Sequence, residues 1–359
     1  MIFIPRFAGL VALTCGSFGL ALAQDDSSEA QFEAPPKAMY VVVPKHEVQT
    51  ARIPAASLPT WNGSFVYKNK TYKYNMVGSA PSSNTSTTIQ AIIIPLKIVI
   101  SKTGTTYDPA HVLPNGNTVI QNTVASPLFD STTTYVQGSV NVGTTQYIDA
   151  YQRANFWGTV SSHPNSHLLL GGPTVLPEVT LTVPKASGKT GSVFGFTAGL
   201  VDINYFDAQL NNIISQTSQI QPNTLPIFLT YDVYLTQSGQ CCVGGYHSAT
   251  GTQTYSHATY VDHPGDFAQD VSALSHEIGE WADDPLLNNG NNTPCGILEV
   301  GDPLEGNANY GGYPYVLHGF TYNLQDLVTL PYFGAPASTS VNNWFTFQGE
   351  SLAVCANGS

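Results

Sequence analysis

Between residues 60 and 261, short runs of alternating or unbroken apolar residues are separated by clusters of turn formers. Gly63–Tyr74, Ile89–Ile100, Ser131–Val142, Glu178–Val183 and Val193–Ala198 read as strands, with Pro81-Ser82-Ser83-Asn84 and Pro114-Asn115-Gly116-Asn117 as turns. Ile89–Ile100 is the strongest of these, and Pro95 within it marks an edge or a bulge, because proline has no N–H for a ladder. Tyr147–Trp157 reads as a short helix. Asp202–Gln216 has helical spacing, with Tyr205, Phe206, Leu210, Ile213 and Ile214 on one side. Leu225–Leu235 reads as a buried strand, Tyr246–Val261 as a hairpin turning at Thr250-Gly251, and Asn323–Leu330 as a late helix.

The segment Phe267–Trp281 carries the sharpest pattern. Asp266 stands at an N-cap position and Gln269 could complete a capping box. Phe267, Val271, Leu274, Ile278 and Trp281 form one apolar stripe. His276 and Glu280 fall one turn apart on the opposite side, and Asp283 continues that side if the helix outlasts Ala282; Pro285 ends it soon after. His276-Glu277-x-x-Glu280 has the form of a zinc-protease helix, His-Glu-x-x-His, with Glu for the second His. A carboxylate oxygen binds zinc at about the distance of an imidazole nitrogen, so ligands at i and i+4 can share one ion. Glu277 between them can act as general base. The bland alternative is an amphipathic helix with a solvent-facing His–Glu pair.

Charge changes the picture. Charged residues are only 10% of the chain against 42% hydrophobic, which suits an ordered, β-rich exported protein. Residues 190–359 contain no Lys or Arg but 15 of the 24 acidic residues. Nucleic acid is excluded as a partner on this ground. The acids of the C-terminal half must be hydrated, protonated, hydrogen-bonded, matched to the N-terminal half or bound to a cation. Glu277, Glu280, Glu299 and Glu305 crowd into one stretch with no basic neighbour. A divalent metal removes that cost, zinc first, with manganese or calcium suited to a carboxylate-rich set. Glu299 is the expected third ligand beside His276 and Glu280, with Asp302, Asp284 and His318 as rivals. His257 reads as a strand histidine with a local partner, and His163 and His167 as loop residues.

The first residues read as a signal peptide: Arg6, an apolar run from Phe7 to Leu22, and Ala21-Leu22-Ala23 as cleavage site. A secreted, extracellular or periplasmic location follows, with no membrane span after cleavage. Cys241, Cys242, Cys295 and Cys355 then remain. Bridging the adjacent pair is disfavoured, leaving 241–295 with 242–355, or 241–355 with 242–295; a thiolate metal site is the rival.

His276-Glu-Ile-Gly-Glu280, Asp284-Pro285 and Glu299-Val-Gly-Asp302 resemble the signature of the exordium-like, or phosphate-induced-protein-like, secreted family. Gln152–Trp157 and Tyr322–Leu327 resemble segments of its bacterial exported members, whose function is unassigned. The resemblance implies a metzincin-like helix, with His276, Glu277, Glu280, Glu299 and Asp302 at the matching positions. Two departures stand out: Pro303 replaces an expected Cys, and no Met follows Met76, so a metzincin Met-turn is lacking.

Together these readings predict an α+β protein with a mixed β-sheet and a metzincin-like active-site helix. Residues 1–23 are the signal, 24–59 an extended arm, 60–200 a β-rich portion and 201–359 a metalloprotease-like portion. The expected activity is hydrolysis of a polypeptide or cell-wall substrate by metal-activated water. His276, Glu280 and Glu299 hold the ion, Glu277 takes the proton and Asp302 orients a ligand. The alternative is a non-catalytic extracellular or wall-associated protein in which the same cluster is a structural cation site; a carboxylate-pair glycosidase is a further option.

Overall fold

The computed structural model describes residues 36–39, 43, 46, 57–67, 69–137, 140–289 and 312–325. The signal, Cys295, Glu299, Asp302 and Cys355 lie outside them. In chain order the elements begin with β1 (Thr60–Tyr67), β2 (Lys70–Val77), β3 (Ser86–Ile100), β4 (Thr105–Tyr107), α1 (Val119–Val124), β5 (Thr134–Gln137) and β6 (Val140–Thr144). Then come α2 (Tyr147–Asn155), α3 (Trp157–Val160), β7 (His167–Val175), β8 (Val179–Val183), β9 (Gly188–Val193), β10 (Phe196–Asp202) and α4 (Ile203–Gln216). The rest are β11 (Thr224–Tyr231), β12 (Val233–Gln237), β13 (Gln240–Val243), β14 (Gly245–Thr250), β15 (Gln253–Tyr260), α5 (Ser272–Asp283), β16 (Gly312–Leu317) and β17 (Phe320–Gln325).

A seven-stranded mixed sheet organises the molecule, in the order β14-β15-β11-β3, with β7, β8 and β4 also pairing β3. It draws strands from both sides of residue 200, since β3 pairs in parallel with β11 from Thr224↔Gln90 to Leu229↔Pro95. β11 pairs in parallel with β15, and β14 closes the order as an antiparallel end strand. Successive residues of β3 serve opposite faces: Ile89, Ala91 and Ile93 join one core, Ile92, Ile94 and Leu96 the other. The unbroken apolar run of this strand follows from burial on both faces. Pro95 is therefore central rather than at an edge. It sits where β3 changes partner, between Ile93↔Val175 of β7 and Leu96↔Val179 of β8, and there the missing N–H leaves no rung empty.

Helix α4 lies on one face, its Phe206 and Leu210 packed with Ile92, Phe228 and Tyr255. Asp202 caps it by accepting from the Tyr205 amide at 3.0 Å. Helix α5 lies on the other, with Leu274, Ile278 and Trp281 in the core that holds Ile93, Ile227 and Ala258. A second sheet runs β13-β12-β10-β9. None of the helices among the described residues is long and apolar enough to cross a membrane.

Several expectations need correction. Gly63–Tyr74 and Ser131–Val142 are not single strands but fall on the β1–β2 and β5–β6 hairpins. Val193–Ala198 is likewise not one strand but the end of β9 and the start of β10, reversed between them through Phe194 and Gly195, both at positive φ. Leu225–Leu235 is two strands, broken at Asp232 (φ 51°) and shared between two sheets. Residues 323–325 belong to β17, not to a helix, because Asn323 and Gln325 lend their amides to Asp270 and Ser275 beside α5. Cys241 and Cys242 are bonded to each other across a cis peptide, so neither is left for Cys295 or Cys355.

Ile93 is fully buried between the central strands and α5. Truncation to Ala should lower the unfolding free energy by roughly 2–5 kcal/mol, read by equilibrium urea denaturation. A loss well under ~1 kcal/mol would mean that this sheet is not the structural core.

Candidate metal centre

Helix α5 begins one turn later than its pattern suggests. Asp266 does accept a backbone amide, from Ala268 at 2.8 Å, but this closes a preceding turn, and Asp270 at φ 45° interrupts the path before Ser272. The helix then runs through Asp283, and all twelve of its residues are buried. The polar side faces protein, not water: β14, β15, β2, β17 and α2 all pack on α5. A solvent-facing His–Glu pair is thereby excluded.

His276 Nε2 lies 2.8 Å from Glu280 Oε1. From the edge strand β14, His247 brings Nδ1 to 3.7 Å from Glu277 Oε2 and to 3.7 Å from Glu280 Oε2. One ligand atom each from His247, Glu277 and Glu280 lies within 4.8 Å of the others, in a buried group that could hold a metal ion. The residues suit one. His247 Nε2 faces the Asp284 carbonyl at 3.2 Å, and since a carbonyl only accepts, Nε2 carries the proton. In neutral imidazole the Nδ1 lone pair then points at two carboxylates, an arrangement that requires a proton or a cation between them.

Burial raises the Glu277 carboxyl above the usual range, and the neighbouring Glu280 charge adds to the rise. Burial pushes Glu280 up too, but the attraction of His276 and the hydrogen bond it makes outweigh burial and hold this carboxyl low. The pair is thus split into one proton-holding and one ionised carboxyl, as expected where like charges share a site. Asp283, next along, is pushed well up by burial despite a 2.7 Å hydrogen bond from Gln152 Nε2.

The surroundings make room for this group. A Cβ on Gly245 would stand 2.8 Å from Glu277 Cγ and 2.8 Å from the His257 carbonyl oxygen, so the glycine is what lets Glu277 lie against β14. A recess beside the group is lined by Met39, Gly244, Gly245, Phe267, Ser272, Ala273, His276, Glu277 and Gln325.

Of the residues expected from sequence, His276, Glu277 and Glu280 come together. Asp284 does not enter by its carboxylate, which accepts the amides of Asn288 and Asn289; it contributes its carbonyl to His247 instead. His318 is remote in role as well as place: it sits on the exposed β16–β17 turn, 3.3 Å from Asp130. His257 is fully buried, bonded to Thr230 at 3.1 Å, and burial lowers it to about 3. His167 pairs with Asp149 at 2.8 Å. Sequence reasoning missed His247. The signal lay in the hairpin register: His247 pairs with Ser256, whereas His257 pairs with Tyr246, so the two histidines face opposite sides of the sheet.

No protein-family model, no curated protein and no solved structure matches this chain.

Two outcomes test the geometry. Gly245→Ala should displace Glu277 and cost about 1–3 kcal/mol of stability, measured by urea denaturation; an unperturbed variant would show that the fit is loose. Asp232 and Asp270 are both raised to about 7, chiefly by burial. A folded-state value above the unfolded one favours folding at low pH, and that contribution is lost as pH rises through about 7. In chelator, the thermal midpoint should therefore fall from pH 5 to pH 8, and a flat profile would contradict the burial of these carboxyls.

Proposed function

We propose that the chain is a secreted metal-dependent hydrolase of the peptidase type. The observation that carries this reading is the buried group His247, Glu277 and Glu280, with His276 paired to Glu280 beside it and no Lys or Arg after Lys189. His276 and Glu280 from α5, with His247 from β14, hold the ion. Glu299 and Asp302, outside the described residues, remain proposed as further ligand and orienting group. Zinc is the proposed metal, since two imidazoles outnumber the anionic oxygen of Glu280 in this set. The ion supplies Lewis-acid polarisation and acidifies a water.

The protein's own residues do the rest. The Asp284 carbonyl fixes the His247 tautomer, leaving Nδ1 for the ion. Glu277 lines the recess, and with a cation bound beside it the carboxyl would give up the proton that burial holds on it, leaving a base that can take a proton from water and return it to a leaving amine. Polypeptide is the proposed substrate, with cell-wall peptide in the same chemical class. A second reading, a structural cation site in a non-catalytic wall-associated protein, is favoured by one fact: His276, Glu277 and Glu280 are only 3–4% exposed.

Metal-stripped protein titrated with zinc should take up one ion, and His247→Ala should weaken uptake by at least about 10–100-fold. Glu277→Gln should keep the metal yet slow hydrolysis of unfolded casein by roughly 10²–10⁴-fold. Zinc uptake with no hydrolysis by any form would favour the structural site, and absence of uptake would end both readings.

A further inference from the structure

β14 is the end strand of the seven-stranded sheet, and one of its edges is taken by β15. An end strand presents unpaired N–H and C=O groups on its outer side, a template for any extended chain. Here that side is met by the chain's own N-terminal part. Met39 bridges Val243 at the end of β13 and His46 bridges Thr250 at the end of β14, both in parallel, and the two contacts are seven residues apart on each side. The bonds are those of an added strand. The Met39 amide donates to the Cys242 carbonyl at 2.8 Å, the His46 amide to the Ala249 carbonyl at 2.8 Å, and the Gly251 amide to the His46 carbonyl at 2.8 Å. Ser248 Oγ donates to the Val43 carbonyl at 2.9 Å, and His46 forms an ion pair with the buried Asp207.

This placement has a consequence at the metal centre. Met39 is itself a wall of the recess that contains His276 and Glu277. Met39, Val43 and His46 thus contact the outer edge of β13 and of β14, the strand that supplies His247, and Met39 stands beside the proposed base.

We infer that the outer edge of β14 is a docking edge for an extended polypeptide, and that the segment containing Met39, Val43 and His46 fills it in cis. Strand addition gives affinity through main-chain bonds and selectivity through alternate side chains, so the ligand class is an extended peptide with an apolar residue at the position of Met39. Because the segment is tethered, its effective concentration exceeds that of a free competitor, and the full chain is self-blocked. The docking edge stands on the strand pairing alone; the blocking of catalysis rests on the hydrolase reading above.

The test uses the full-length protein with Met39→Pro and His46→Pro together, which removes two amide donors and replaces none of His247, His276, Glu277 and Glu280. A fluorescein-labelled synthetic peptide of residues 36–46 is titrated in chelator, and casein hydrolysis is followed separately with zinc. The expected result is a gain of about tenfold or more in peptide affinity over wild type, the order set by losing two backbone hydrogen bonds, with a parallel rise in casein hydrolysis. Tighter peptide binding without hydrolysis in either form keeps the docking edge and removes the hydrolase reading. Hydrolysis that is equal in both forms, with tighter peptide binding, removes the blocking and keeps the edge. A folded variant that binds the peptide no better than wild type overturns the inference. If the double variant does not fold, Met39→Pro alone decides by the same titration, and its failure to fold as well would make the segment part of the core and overturn the inference.

Discussion

Two glutamates sit side by side in the interior of a half-chain that has no lysine and no arginine. Such a pair cannot stay fully ionised without positive charge, because both burial and mutual repulsion oppose it. Among the described residues the positive partners named beside them are the imidazoles of His276 and His247, and His247, fixed by the Asp284 carbonyl, turns a lone pair rather than a proton toward the carboxylates. The site is therefore built around a positive guest, a proton at the least and a divalent ion at the most.

The fold holds these groups from several directions at once. Gln152 of α2 donates to Asp283 at the end of α5. Asn289 donates to the carbonyls of Asn75 and Asp283, which ties β2 to the same helix end. At the other end, Asn323 and Gln325 of β17 bond Asp270 and Ser275. These are buried or part-buried polar contacts, and leaving a buried member unmet would cost more than the contact itself contributes. A helix buried on every side needs such satisfaction, and the resulting rigidity suits a site whose donors must keep their places.

The sequence disclosed the helix and its three chemical residues because a 3.6-residue period and a His-Glu-x-x-Glu spacing are both local. The hairpin Tyr246–Val261 was legible for the same reason, through Thr250-Gly251. What was hidden was non-local. His247 and His257 differ only in which face of one hairpin they occupy, and that depends on which face α5 covers. Asp232 looked like one polar residue inside a strand, yet its positive φ sends the chain from one sheet to another. The 323–325 stretch has a helical pattern but surrenders to β pairing, since its amides satisfy buried acceptors beside α5. Pro95 suggested an edge because the rule about proline is a rule about one hydrogen bond, and a central strand that changes partners also has a place without one.

Burial of the metal centre and access to it pull in opposite directions. A group only 3–4% exposed strengthens every electrostatic interaction within it, but the hydrolase proposed above also requires a substrate to reach Glu277. The edge strand resolves this. Among the described residues its outer edge is the boundary whose neighbour can be exchanged, because that neighbour is a chain segment held by main-chain bonds, one ion pair and the packing of Val43 into the core on the α4 side of the sheet, away from α5. The remaining walls, α2, β2 and β17, are interlocked with the helix by buried hydrogen bonds and cannot open without breaking it. At that boundary Gly244 and Gly245 let Phe267 and Glu277 lie directly against the strand backbone, so the proposed base stands beside the exchangeable edge.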